Sequence, residues 1–425
     1  MHHRASVDSQ DVIVVGGGVG GLTLALELHR LGIACRVFEA VPKVSQVGVG
    51  ITVLPHATRI LAELGVLDAL VARGLSARES VFYNRFGQFV FREPTGEYAG
   101  LKWPQLSIHR ADLYDVLLEA ARERLGDDRV VFGARFLRAD QDSGAAYAHF
   151  EQVAPSPGGG TSTSSFTQRG SVVIGCDGIH STLRRQLHSN EGPPIYQGLN
   201  MWRGVTRWSP FLTGASMLRV GWYSSGKLTI YPCRDDVDGQ GTQLMNWIAA
   251  VETSRHVDRD WGRQGRLEDF IATFEDWTFD FLDVPGVLRA ADSILEYPMV
   301  DQEPISRWTF GRLTLLGDAA HPMVPRGSNG AGQAIVDCRS LASALSQSLD
   351  FVEALKVYEA DRLPVTTKIV YKNRVDPPDA ILREVCTRTN DQRFDRLEDV
   401  ISDAELQGLS EGYKHLTGYS RRALA

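Results

Sequence analysis

Glycines at 16, 18 and 21 stand in a GxGxxG run directly after the apolar stretch DVIVV, and a glutamate follows at 39. This spacing suits a dinucleotide. Gly16 permits a tight turn, Gly18 lets the backbone approach a pyrophosphate, and Gly21 lets a helix pack close to a strand. The start of that helix offers free N–H groups and a partial positive charge to phosphates. Glu39 falls at the tip of the next strand, where a carboxylate accepts hydrogen bonds from ribose hydroxyls. Two further acids, Asp177 and Asp318, each follow another apolar run with only a Gly-Cys or a Gly between. Ligands of parallel sheets lie beyond the carboxyl ends of the strands, so both acids are placed to meet one. A simple dehydrogenase has no use for these extra strand tips. The Pro- and Gly-rich stretch 322–332 opens a helix and can present N–H groups to an anionic ring edge. A reduced isoalloxazine, with negative charge at N1 and O2, fits that array, so FAD is the expected bound dinucleotide.

The elements that must hold these residues are legible in outline. Runs 11–15, 35–38, 171–176 and 312–316 are short and mostly apolar, as strands of a buried parallel sheet are. Residues 22–31 are helical in pattern and stop at Gly32. Helices are also expected at 57–64, 67–73, 111–125, 332–349 and 351–374, and strands around a Gly87 turn at 81–91. The span 130–168 reads as strands and loops, with 154–165 as an exposed hairpin connection. From 201 to 250 the pattern changes to short alternating runs, MWRGVT, KLTIYPC and LMNWIAA, which predict an antiparallel sheet.

At 425 residues the chain should hold two or three domains. Its net charge of -7 argues against a general nucleic-acid binder. Cys35, Cys176, Cys233, Cys338 and Cys386 are scattered without CxxC spacing, which fits reduced thiols of a cytoplasmic protein and no metal site. No apolar run approaches the ~20 residues that span a bilayer, and the first eight residues lack the apolar core of a leader peptide. The expected partners are therefore small molecules, not nucleic acid or membrane, and the expected state is a monomer or homodimer.

Four motifs, in order, carry a family resemblance: VVGGGVGGLTLALEL with Glu39, IHRADL around Arg110, GCDGIHSTLR at Asp177, and LLGDAAHPMVPRGSNGAGQAIVD at Asp318. Together they resemble the class A flavoprotein monooxygenases, the family of p-hydroxybenzoate and salicylate hydroxylases. The runs GVGI at 48–51, MWRGVT at 201–206 and YPMVD at 297–301 are similar to the subfamily of 5-methylphenazine-1-carboxylate hydroxylase. The fold expected is α/β: a Rossmann-like FAD-binding domain of glutathione-reductase type over 10–80, 105–190 and 291–375. An antiparallel-sheet substrate domain (81–104 and 191–290) is interleaved with it, and a helical region (376–425) follows.

The resemblance implies that Gly16, Gly18, Gly21 and Glu39 hold the adenosine half of FAD. Arg110 would contact its ribityl or phosphate region, Asp177 would brace the pyrophosphate and help bind the nicotinamide cofactor, and Asp318 would bind the ribityl chain. Pro325, Ala331 and Gly332 would flank the flavin ring. Where family members often carry GQGMN, this chain has SNGAGQ at 328–333. The implied chemistry is hydride transfer from NADH or NADPH to the flavin, then reaction with O2 to give a C4a-hydroperoxide that attacks an electron-rich aromatic carbon. No protein residue need act as a catalyst beyond the flavin; the protein supplies position and dryness, and His109 and His321 are expected to be structural. The aromatic-rich sheet is expected to wall the substrate pocket, with Tyr223, Tyr231 and Trp247 against the ring and Arg203 or Arg219 paired to a carboxylate. Two rival readings stay open at this point: an FAD-dependent reductase, dehydrogenase or oxidase of the same fold that inserts no oxygen, and a nucleotide-binding protein without catalysis.

Overall fold

Short apolar runs with no polar face can satisfy their backbone only inside a sheet covered on both sides. The computed structural model, which describes residues 11–42, 48–156, 160–254 and 262–424, builds them into a five-stranded sheet. Its order is Leu313–Leu315, Val172–Gly175, Val12–Val15, Cys35–Glu39, Val130–Phe132, with every pairing parallel. The chain leaves Val12–Val15 toward one edge and returns later to fill the other side. This reversal opens a crevice beyond Val15. Helices Val19–Arg30, Arg110–Leu125 and Gly330–Gln347 cover the sheet. A separate antiparallel sheet joins Ala134–Gln141, Ala146–Ser156 and Gly160–Gly170. The expected connection at 154–165 is therefore mostly strand, and its turn lies outside the described residues, as does the segment read above for a leader peptide.

The second large sheet has seven strands, in the order Ile294–Asp301, Ile195–Trp208, Gln243–Glu252, Lys227–Arg234, Ser216–Gly221, Glu79–Tyr83, Phe89–Pro94. All its pairings are antiparallel except Ser216–Gly221 with Glu79–Tyr83. Successive residues point to opposite faces. Leu218, Val220, Leu228, Ile230, Met245, Trp247 and Ala249 pack on one side against Phe270, Phe274 and Trp277. Met217, Arg219, Thr229, Tyr231, Ile248 and Ala250 therefore face the other way, and they line cavities there.

Ile294–Asp301 pairs with Ile195–Trp208 and forms the edge of this sheet. It is buried almost throughout, and a strand buried on both faces carries no alternation by which its sheet could be recognised.

The C-terminal region is packed, not appended. Helices Ala380–Arg388 and Asp403–Thr417 contribute Ile381, Leu382, Val385 and Leu406 to a core shared with Phe82 and Val90 of the seven-stranded sheet. Ser402 and Glu405 form a reciprocal capping box that fixes where the longer helix begins. Among the described residues, no helix is long and apolar enough to cross a membrane.

Candidate functional site

The three motif glycines serve different ends. A Cβ on Gly16, where φ is +103°, would lie 2.4 Å from the Cys176 carbonyl oxygen, and one on Gly21 would lie 1.9 Å from the Gly16 carbonyl oxygen. Both positions are glycine because protein backbone fills the space. A Cβ on Gly18 would meet nothing within 4 Å. Gly18 thus faces open space at the start of Val19–Arg30, whose first N–H groups lack partners within the helix. Glu39 stands beside this turn. Its Oε2 accepts from Gly17 N–H at 2.7 Å and its Oε1 from Val41 N–H at 3.0 Å, so the carboxylate is held at the strand tip.

Asp177 and Asp318 differ in the same instructive way. The Asp177 carboxylate is consumed locally: it accepts from Ser181 Oγ at 2.5 Å and from Thr182 N–H at 2.7 Å, capping the turn into Thr182–Leu187. Burial raises its pKa, and these hydrogen bonds oppose the rise. Its backbone abuts Gly16, so the residue shapes the crevice. Asp318, in the turn Gly317–Ala319, is exposed, and its carboxylate takes no hydrogen bond from the described residues. It faces Gly330, the first residue of Gly330–Gln347, and Ala331 and Gly332 complete the start of that helix. A Cβ on Gly332 would come 2.8 Å from Nε2 of His56. His56 is buried, neither ring nitrogen has a partner among the described residues, and it stacks on Tyr419. Burial, then Arg362 and Arg59, lower its pKa to about 3, so the imidazole is neutral.

The start of Gly330–Gln347 is tied down by a continuous buried network. Asp337 accepts from His321 at 2.6 Å and from Arg362 at 2.7 Å, and Arg362 also donates to Gln333 at 2.7 Å. Gln333 donates onward to Asn329 and to the Thr417 carbonyl, and Asn329 donates to the Tyr413 hydroxyl at 3.0 Å. His321 thus has a structural partner.

Two chambers meet at Arg219, Gly327 and Ser328. The larger, about 420 Å³, lies between Thr52 and Pro55, the strand Phe89–Pro94, and the C-terminal residues Ser410, Lys414 and Tyr419. The smaller, about 50 Å³, is lined by Tyr223, Lys227, Tyr231, Ile248, Pro325 and Asp379. Three of the five expected pocket residues, Arg219, Tyr223 and Tyr231, therefore converge beside Pro325.

The other two do not. Trp247 is wholly buried on the opposite face of its strand, donating from Nε1 to Thr206 Oγ1 at 3.0 Å. Its neighbours Asn246 and Ile248 take the chamber face, so Trp247 is core. The other tryptophans shift with it: Trp202 stacks on Phe270 at 5.0 Å, so the expected aromatic wall is largely the sheet's far side. Arg203 has the right face but lies outside both chambers; burial, then the guanidinium of Arg110, lower its pKa to about 10. Arg110 itself is exposed at the first position of Arg110–Leu125.

Sequence reasoning missed Lys227 and Asp379, which form a buried ion pair in the smaller chamber. Burial, then Arg326 and Arg219, push the Lys227 ammonium well down. Lys227 had a usable signal, since it shares the face of Thr229 and Tyr231 by alternation. Asp379, in a Pro-Pro-Asp turn, had none.

Comparison with known proteins agrees with this geometry. A family model described as an FAD binding domain matches residues 9–218 and 290–373. Phenazine 1,6-dicarboxylic acid hydroxylase PhzS of Lysobacter antibioticus is 41% identical over 396 residues, covering 92% of this chain and 95% of that protein. The chain belongs to the FAD-dependent aromatic monooxygenases. The monooxygenase is also 30% identical over 379 residues to 3-hydroxybenzoate 6-hydroxylase of Polaromonas naphthalenivorans, covering 85% and 86% of the two chains. It shares its fold with Klebsiella pneumoniae HpxO complexed with FAD and uric acid, at TM-score 0.73, 24% identity and coverage of 98% and 97%. Its reaction is FAD-dependent hydroxylation of an aromatic ring, with FAD as cofactor and NAD(P)H and O2 as co-substrates.

Proposed function

We propose that the monooxygenase hydroxylates an aromatic or heteroaromatic carboxylic acid whose carboxylate is held by Arg219. The observation that carries this reading is the state of that guanidinium. It is half-buried where the two chambers meet, donates to Ser80 Oγ at 2.9 Å, and has no carboxylate within ion-pair distance among the described residues. Burial pulls its pKa down, so a ligand anion there would restore what desolvation costs. Arg219 is also the arginine, of the two weighed from sequence, that lines the chambers. The names of the relatives, which act on benzoates and a phenazine dicarboxylic acid, support an acidic aromatic substrate.

The residues around the crevice fit FAD. Open space above Gly18 and the unpaired N–H groups of Val19–Arg30 would take the pyrophosphate, braced by the Asp177 turn, while Gly16 and Gly21 shape that turn. Glu39 and Asp318 would accept from ribose and ribityl hydroxyls, and Arg110 would reach the same region. The start of Gly330–Gln347, at Ala331 and Gly332, would donate to the flavin's pyrimidine edge, with Pro325 against the ring. Bound flavin supplies hydride acceptance and oxygen activation. The chain's task is to place the substrate ring and keep the smaller chamber dry. The enzyme is read as a cytoplasmic monomer or homodimer, a setting compatible with its five free thiols.

Arg219→Met is expected to weaken binding of the preferred acid about ten- to hundredfold, the worth of a charged hydrogen bond, with a smaller change in kcat. Ligand-stimulated NAD(P)H oxidation with product identification measures it. A KM unchanged by the substitution would refute the assignment, and equal product without oxygen would favour the reductase alternative. Asp318→Ala is expected to lose most bound FAD, read as the absorbance that survives desalting.

A further inference from the structure

The smaller chamber contains a carboxylate oxygen that the protein does not use. Asp379 is almost fully buried; one of its oxygens pairs with Lys227, while Oδ1 has no hydrogen-bond partner among the described residues. None of the surrounding donors reaches Oδ1. Lys227 also donates to the Tyr223 hydroxyl at 3.2 Å, Arg219 donates to Ser80, and Arg326 donates to the Arg374 carbonyl at 3.1 Å and to Met299 sulfur. A buried carboxyl oxygen left unpaired is costly, so such an atom marks where a ligand donor belongs.

Volume limits what that donor can be. At about 50 Å³ the chamber takes one substituent and not a ring, whereas the adjoining 420 Å³ takes the ring. With the carboxylate at Arg219, on the boundary, the ring's second substituent points toward Asp379. We propose that Asp379 is a specificity-determining residue whose Oδ1 accepts a hydrogen bond from a hydroxyl or ring N–H that the aromatic acid must carry. The proposal rests on the reading of Arg219 as carboxylate anchor. It narrows the substrate from any aromatic acid to a hydroxylated or N–H-bearing one. It also assigns a consequence: a hydrogen shared with a carboxylate leaves electron density on the substituent, and through it on the ring carbons ortho and para. Those carbons are then the ones disposed to attack an electrophilic oxygen. Lys227 acts through Asp379 by pairing with its other oxygen, and is a positioning residue.

The test uses the full-length, FAD-loaded protein and flavin fluorescence as the binding signal. The probes are the three hydroxybenzoates, each against the fluorobenzoate of the same substitution pattern, which is no larger and has no donor. For at least one pair the wild type is expected to favour the hydroxy acid by about tenfold or more. That preference should fall to about twofold or less when the pair is removed together, as Asp379→Leu with Lys227→Met, a replacement that leaves no buried charge. Asp379→Asn, which keeps the volume, should also reduce it if the double variant fails to fold. Arg219→Met should weaken both members of each pair alike and leave their ratio intact. A wild type without preference, or a preference that survives loss of Asp379, overturns the proposal. Affinities indifferent to Arg219→Met overturn the carboxylate reading instead, while the ratio still reports on Asp379.

Discussion

Gly21→Ala is expected to abolish FAD binding and to cost more than about 3 kcal/mol of stability, because the added methyl has nowhere to go. Its Cβ would lie 1.9 Å from the Gly16 carbonyl oxygen. Both groups are backbone, one in the turn and one in the first turn of Val19–Arg30, so no rotamer change relieves the overlap. Relief requires the helix to move off the sheet, which uncovers Val14 and opens the crevice. Gly18→Ala is the informative partner experiment, since its Cβ meets nothing within 4 Å. That variant should keep the stability of the cofactor-free chain to within about 1 kcal/mol and lose affinity for FAD alone. Flavin occupancy after desalting and urea midpoints of the stripped proteins separate the two. A yellow Gly21→Ala protein with an unchanged midpoint would refute the packing argument.

Asp337→Asn is expected to cost about 3–5 kcal/mol, since it strands buried partners of a charge. Asp337 is fully buried and holds His321, Arg362 and the Gly317 N–H together. The effect has a pH signature. Burial alone would raise the Asp337 pKa, but His321 and Arg362 outweigh it, and the folded value lies below the ordinary one. A group depressed on folding contributes fully above its unfolded pKa and loses that contribution as pH falls through the folded value. The Asp337 contribution to the stability gap between wild type and Asp337→Asn should therefore be lost as pH falls below about 4. Urea titrations across that range measure it; a gap that widens as pH falls below about 4 would contradict the sign.

The nucleotide crevice was legible in the sequence because its determinants are local. A strand, three glycines, a helix and an acid follow one another along the chain, and the apolar runs have no other stable use. The chambers were only half legible. Alternation shows that Trp247 and Ile248 point opposite ways, but not which of them faces the cavity; that phase is set by pairing with Ile195–Trp208 and Lys227–Arg234. Aromatic composition suggested Trp247, and the register selected Ile248, Tyr231 and Arg219. Asp177 illustrates a second limit, since a strand-tip acid can be used up by its own turn. Asp379 illustrates a third: nothing near it in sequence announces Lys227, and only the fold of the C-terminal helices brings them together.

The tie between Asn329 and Tyr413 sets an order of events at birth. Asn329 and Gln333 leave the ribosome 84 residues ahead of the hydroxyl and carbonyl that fix them. A nascent chain stalled before residue 413 already possesses all five parallel strands, where the adenosine half of FAD is proposed to sit. It lacks the last two ties on the start of Gly330–Gln347, those from Asn329 to Tyr413 and from Gln333 to Thr417. Proteolytic trimming of the last helices should therefore loosen the proposed ring end of the site before its nucleotide end.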